Sequence, residues 1–195
     1  MSTHSADRKC VALLAATLTM FAAAGPVRAE GYPNKFDFGA SASTQDIASI
    51  AIGPDGKNLP PGKGDHAAGK AVYENMCSAC HGANLQGVAG LPDMPSGISL
   101  RLLGGRGTLT TKNPVMTVES YWPHATTLFD YVRRAMPFQA PGTLTADEVY
   151  AVSAYILAEG NIIDKAMMLD AQTLPRVQMP NRDGFIPDPR PELFK

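Results

Sequence analysis

Residues 77–81 read Cys77-Ser78-Ala79-Cys80-His81, and the rest of the chain takes its meaning from this pentapeptide. Two cysteines separated by two residues and followed at once by histidine form the attachment pattern of a c-type haem. On one turn of helix the two thiols can add across the two vinyl groups of one haem, and His81 then lies under the iron as its proximal ligand. Other uses of these residues meet obstacles. A thioredoxin-like redox pair wants its CxxC after a strand and opening a helix, and the residues before Cys77 do not read as a strand. A structural zinc site needs four ligands, yet beyond Cys77, Cys80 and His81 the chain offers only His66 and His124, at unhelpful spacings.

With three cysteines in 195 residues, a disulfide-built scaffold is excluded. The third, Cys10, belongs to a leader: Arg8 and Lys9 precede an apolar run from Val11 to Ala24, and Val27-Arg28-Ala29 offers a small-residue cleavage site. A lipoprotein cysteine would follow the apolar run, whereas Cys10 precedes it. The run falls short of the roughly 18 residues that span a membrane. Residues 1–29 are therefore expected to be a cleaved signal peptide with no membrane anchor, and the mature chain to begin near Glu30 in the periplasm. In that oxidising compartment a free Cys77–Cys80 pair would close into a strained disulfide unless something captured it.

The balance of 17 Lys and Arg against 18 Asp and Glu argues against a basic nucleic-acid binder, and loss of the leader leaves the mature chain mildly acidic. A hydrophobic share of 45% supports a globular core, while 18 Gly and 16 Pro call for many loops without reaching low-complexity composition.

The organisation follows from helical spacing and its interruptions. Residues 30–64, rich in Gly and Pro, read as an extended arm whose apolar patch is Ile47–Ile52. Asp65 caps a helix with Ala68, Val72 and Met76 at helical spacing, running into Cys77; Gly69 and Tyr73, one turn apart, suit a close helix crossing. Residues 82–123 are mostly loop. Thr126 or Thr127 starts a helix carrying Leu128, Val132 and Ala135, which Pro137 stops. Thr145-Ala146-Asp147-Glu148 is a capping box opening a last helix that Gly160 ends, with Ala151 and Tyr155 available to cross the first. The expected layout is a haem domain over 65–160 and a Pro-rich extension over 161–195, with one short helical turn at Lys165–Leu169.

The iron's sixth ligand decides what a haem protein does. Met94, Met136 and Met179 each precede proline. Met136, between a helix and a Pro/Gly loop, suits a strap over the distal face; Met94 would need a tight loop, and Met179 lies beyond the last helix. His124, His66 or an open position are the remaining options. Pro92 is a candidate to present a carbonyl to the second ring nitrogen of His81. Arg106 and Trp122 are candidates to hold a haem propionate by charge and indole N–H, a solvated arginine and a packed tryptophan being the plain alternatives.

The order of CxxCH helix, loops, helix ending in Met-Pro and final helix resembles a class I cytochrome c, which implies an all-α fold with crossing N- and C-terminal helices and haem-enclosing loops. Closer likeness lies in Leu103 to Leu109 (LGGRGTL), Ser120 to Pro123 (SYWP), Ala125 to Pro137 (ATTLFDYVRRAMP), Leu174-Pro175 and Met179 to Phe185 (MPNRDGF). These resemble the cytochrome subunits of periplasmic sulfur and sulfite dehydrogenases, whose molybdenum subunit passes electrons to haem. The resemblance implies that Cys77 and Cys80 hold one covalent haem c, that His81 and Met136 ligate iron, and that Arg106 and Trp122 line its surroundings. The sulfur dehydrogenase subunit carries two haem domains, whereas this sequence has a single CxxCH, so a monohaem partner of a molybdenum sulfite dehydrogenase or a related enzyme is expected. Its acceptor would be a downstream cytochrome or oxidase. Two other functions stay open: a haem enzyme with a labile sixth ligand acting on peroxide or a sulfur substrate, and a general carrier with no link to sulfur.

Overall fold

Asp65 begins the first of two helices that carry the fold. The computed structural model describes residues 38–50, 52–88 and 100–186; the leader 1–29, Pro92, Met94 and the end of the tail lie outside them. A short helix α1 (Thr44–Ile50) lies within the segment expected to be an extended arm with turns. Strand β1 (Lys63–Gly64) leads into α2 (His66–Met76), whose N-cap Asp65 accepts from the Ala68 amide at 2.9 Å. One further turn, α3 (Ser78–His81), carries the cysteine–histidine motif. Then come α4 (Ala125–Ala135) and α5 (Ala146–Glu159).

Helices α2 and α5 cross at Gly69. A Cβ there would run into the backbone carbonyl of Ala151, so only glycine permits this approach. One turn on, the rings of Tyr73 and Tyr155 pack with centroids 5.1 Å apart. The fully buried residues of α2 are Gly69 and Tyr73; of the predicted stripe, Val72 packs partly buried against the core while Ala68 and Met76 are exposed. Closeness of approach chose the face, and the small residue outranked the apolar ones.

Helix α5 is buried from Val149 to Ala158, as befits a central helix apolar on all sides. Its capping box forms as its sequence predicts. The Glu148 amide donates to Thr145 Oγ1 at 3.3 Å, and the Thr145 amide to Glu148 Oε2 at 2.8 Å. Helix α4 starts at Ala125, one residue before the first predicted threonine; Thr126 is buried inside its first turn, its hydroxyl reaching the Pro54 carbonyl at 3.4 Å. It ends at Ala135, where Pro137 forbids continuation.

The segment after Gly160 is bound into the core. No helical turn forms at Lys165–Leu169; instead β2 (Leu169–Asp170) pairs antiparallel with β1, Gly64 opposite Leu169. Leu169, Leu174, Val177 and Met179 are buried in the same apolar cluster as Tyr73, Phe129 and Leu157. Each fully buried aliphatic side chain contributes roughly 1.5–3 kcal/mol, so this stretch stabilises the domain it follows. The all-α architecture is therefore completed by a two-stranded ribbon that ties the chain before α2 to the chain after α5. Among the described residues no helix is long and apolar enough to cross a membrane.

Candidate functional site

The motif is a single turn set at an angle to α2. Cys77 leaves the helix (φ −121°, ψ −36°) while its own amide still reaches the Tyr73 carbonyl at 2.9 Å. Its carbonyl then accepts from the Cys80 and His81 amides at 3.1 and 3.0 Å, starting α3. Both thiols are free and half-buried; burial, with Cys80 adding to it, pushes the Cys77 thiol up to about 11. At the end of the turn Gly82 adopts φ +76°, where a Cβ would strike the Gly87 carbonyl. Tyr73 fixes this corner: its hydroxyl, deeply buried, donates to the Gly82 carbonyl at 2.6 Å.

His81 is held from two sides. Its carbonyl accepts from the Gly87 amide at 2.8 Å, and its Nδ1 lies 2.5 Å from the Leu100 carbonyl oxygen. A carbonyl only accepts, so Nδ1 carries the proton and Nε2 keeps a free lone pair for a metal. The acceptor expected at Pro92 is thus found at Leu100, while Pro92 itself lies outside the described residues. A backbone carbonyl carries no side-chain signature, which is why sequence could not single it out.

The other candidate residues take distinct places. Met136 is the C-cap of α4, half-buried against the core, its amide bonded to the Val132 carbonyl at 3.1 Å. Met179 is a core residue, 3% exposed. His66 Nε2 is spent on Glu159 Oε1 at 2.7 Å, which lies 2.8 Å from Lys165 Nζ; the Lys165 and His66 hydrogen bonds hold the Glu159 carboxyl below its ordinary range. Arg106 is engaged with two protein partners, Nε 2.6 Å from Glu119 Oε1 and Nη2 donating to the Gly160 carbonyl at 2.6 Å. Trp122 packs edge-on to Tyr131 with centroids 5.6 Å apart, and among the described residues its indole N–H meets no acceptor.

These residues suit a haem. Two thiols on one helical turn and an imidazole with its Nε2 free form a donor set for a covalently held porphyrin iron. On α4, His124 is an N-cap without a side-chain bond, and its Nδ1 is buried with no partner, as fits a neighbour that brings polar atoms of its own. Zinc is the poorer occupant: among the described residues no three of His, Cys, Asp and Glu gather as metal ligands would.

Comparison with known proteins agrees with this geometry. Residues 64–156 match the family described as cytochrome c oxidase, cbb3-type, subunit III. Among solved structures, the chain is similar to one in the crystal structure of the sulfane dehydrogenase SoxCD from Paracoccus pantotrophus, with 37% identity and a TM-score of 0.67. That likeness covers 82% of this chain and 75% of the other. No curated protein matches.

Proposed function

The chain belongs to the cytochrome c family, and from that premise we propose that it is an exported, periplasmic monohaem cytochrome of the class I fold. It takes single electrons from a molybdenum sulfite dehydrogenase, or a related sulfur-compound dehydrogenase, and passes them to a downstream cytochrome or oxidase. The observation that carries this reading is the likeness to SoxCD over 82% of the chain, which reaches well beyond the family match at residues 64–156. An electron-transfer role with no tie to sulfur would need only the haem domain to be shared.

When bound, haem supplies an iron that moves between Fe(II) and Fe(III) one electron at a time. The protein's part is attachment, orientation and burial. Cys77 and Cys80 would hold the group covalently, and His81, its Nδ1–H donating to the Leu100 carbonyl, would present Nε2 as a fixed and more basic ligand. Met136 would supply a thioether as the second protein ligand, the pairing used by electron-transfer cytochromes c, which would leave the iron without an open position for a substrate. Trp122 offers its indole N–H to a propionate.

The test is rapid mixing of the oxidised protein with a molybdenum sulfite dehydrogenase and sulfite. Haem reduction that requires the enzyme is expected. Reduction no faster than sulfite alone achieves would overturn the sulfur assignment.

A further inference from the structure

Hydrogen bonds and the short backbone segment between them connect His81 to the ion pair of Arg106 and Glu119. The Leu100 carbonyl that accepts from His81 Nδ1 belongs to segment 100–104. Upstream, this segment is tied to Leu85, whose carbonyl accepts from the amides of Leu102 at 2.8 Å and Leu103 at 3.1 Å. Downstream, it is tied at Gly104, whose amide donates to Glu119 Oε2 at 2.5 Å and whose carbonyl accepts from Thr117 Oγ1 at 2.7 Å. The second oxygen of Glu119 faces Arg106 Nε at 2.6 Å, and Arg106 reaches on to the Gly160 carbonyl at the end of α5.

We propose that Glu119, gripped by Arg106, is a positioning residue for the proximal histidine, anchoring the segment whose Leu100 carbonyl accepts the hydrogen bond from His81 Nδ1–H. The side chain of Glu119 is 15% exposed against 46% for Arg106, so the carboxylate has been drawn inward and has exchanged water for two protein partners. The backbone it grips has little stiffness of its own, since Gly104 and Gly105 adopt φ +93° and +88°. The anchor at Gly104 therefore works with the tie to Leu85 in fixing where Leu100 rests. A hydrogen bond at Nδ1 raises the basicity of a ligating histidine, and a more basic ligand favours the oxidised iron. Loosening the anchor should raise the reduction potential and free the ring proton.

This proposal rests on the haem reading of His81. The test compares haem-loaded, full-length wild type with Glu119→Ala and Glu119→Gln, following the exchange of the His81 ring proton and of backbone amides by NMR, together with the reduction potential. Glu119→Ala should speed exchange of the His81 ring proton about tenfold or more and shift the potential upward, with Leu102 and Gly104 amides following. Glu119→Gln, which can still accept from Gly104 but carries no charge toward Arg106, should fall between and serves where the alanine variant fails to load. The Gly87 amide, bonded to the His81 carbonyl from the opposite side, should keep its rate. An unchanged ring proton and potential in both variants, or equal acceleration at Gly87, would overturn the proposal. A wild type that carries no haem would overturn the functional reading along with it, and shows itself before any variant is compared.

Discussion

The α2–α5 crossing and the stretch from Trp122 to Phe138 are built on different terms. At the crossing, both helix starts are capped by their own residues, Tyr73 and Tyr155 pack ring to ring, and His66 and Lys165 share Glu159. In the second stretch His124 opens α4 without a cap bond, its Nδ1 is buried and unmatched, and Phe138 is 67% exposed just beyond Met136. The first region is held by its own contacts, apart from the buried and unpartnered Ser153 hydroxyl of α5, while the second offers groups suited to something the chain does not itself encode. A fold with this many loops cannot draw its whole core from side chains, so it should depend on haem where the second stretch lies.

Breaking the first region should have the largest effect. Gly69→Ala drives a methyl group into the Ala151 carbonyl, and because backbone cannot step aside cheaply, about 3 kcal/mol or more of stability should be lost. Thermal unfolding of the haem-loaded protein reads this. Next, replacing both Cys77 and Cys80 by alanine removes covalent attachment, and hydrogen exchange should then rise in α4 well before α5. Equal acceleration of the two helices would erase the contrast between the regions.

Smaller changes sharpen the comparison. Tyr73→Phe keeps the ring packing and deletes only the bond to Gly82, so a loss of about 1 kcal/mol is expected, measured by denaturant unfolding. Thr145→Ala removes the cap of α5 and should cost about 1 kcal/mol. The effect of pH is smallest. Glu159 is held below its ordinary range by Lys165 and His66, so its contribution is present above the usual carboxylate pKa and is lost as pH falls through the lowered value. Glu159→Gln should flatten the acid side of the stability profile and leave the neutral side of the curve parallel to wild type.

Local rules carried the sequence reading far. The capping box at Thr145, the stop at Pro137 and the Gly69–Tyr73 spacing are each written in neighbouring residues, and all are found in the structure. What escaped depends on distant parts of the chain. The pairing of Gly64 with Leu169 joins segments whose partnership no periodicity announces, and Arg106 meets Glu119 through a turn with no spacing rule. Leu100 escaped for another reason, since it acts through its backbone oxygen. The apolar stripe on α2 misled because a tight crossing is set by the smallest residue present.

The central proposal is that one haem, attached through Cys77 and Cys80 with His81 and Met136 as its iron ligands, carries electrons. The most direct measurement is the absorption spectrum of the oxidised protein beside that of Met136→Ala. The account predicts a thioether-linked haem with a methionine-to-iron charge-transfer band that the variant loses while keeping its haem. High-spin iron that binds cyanide rapidly in the wild type would contradict it.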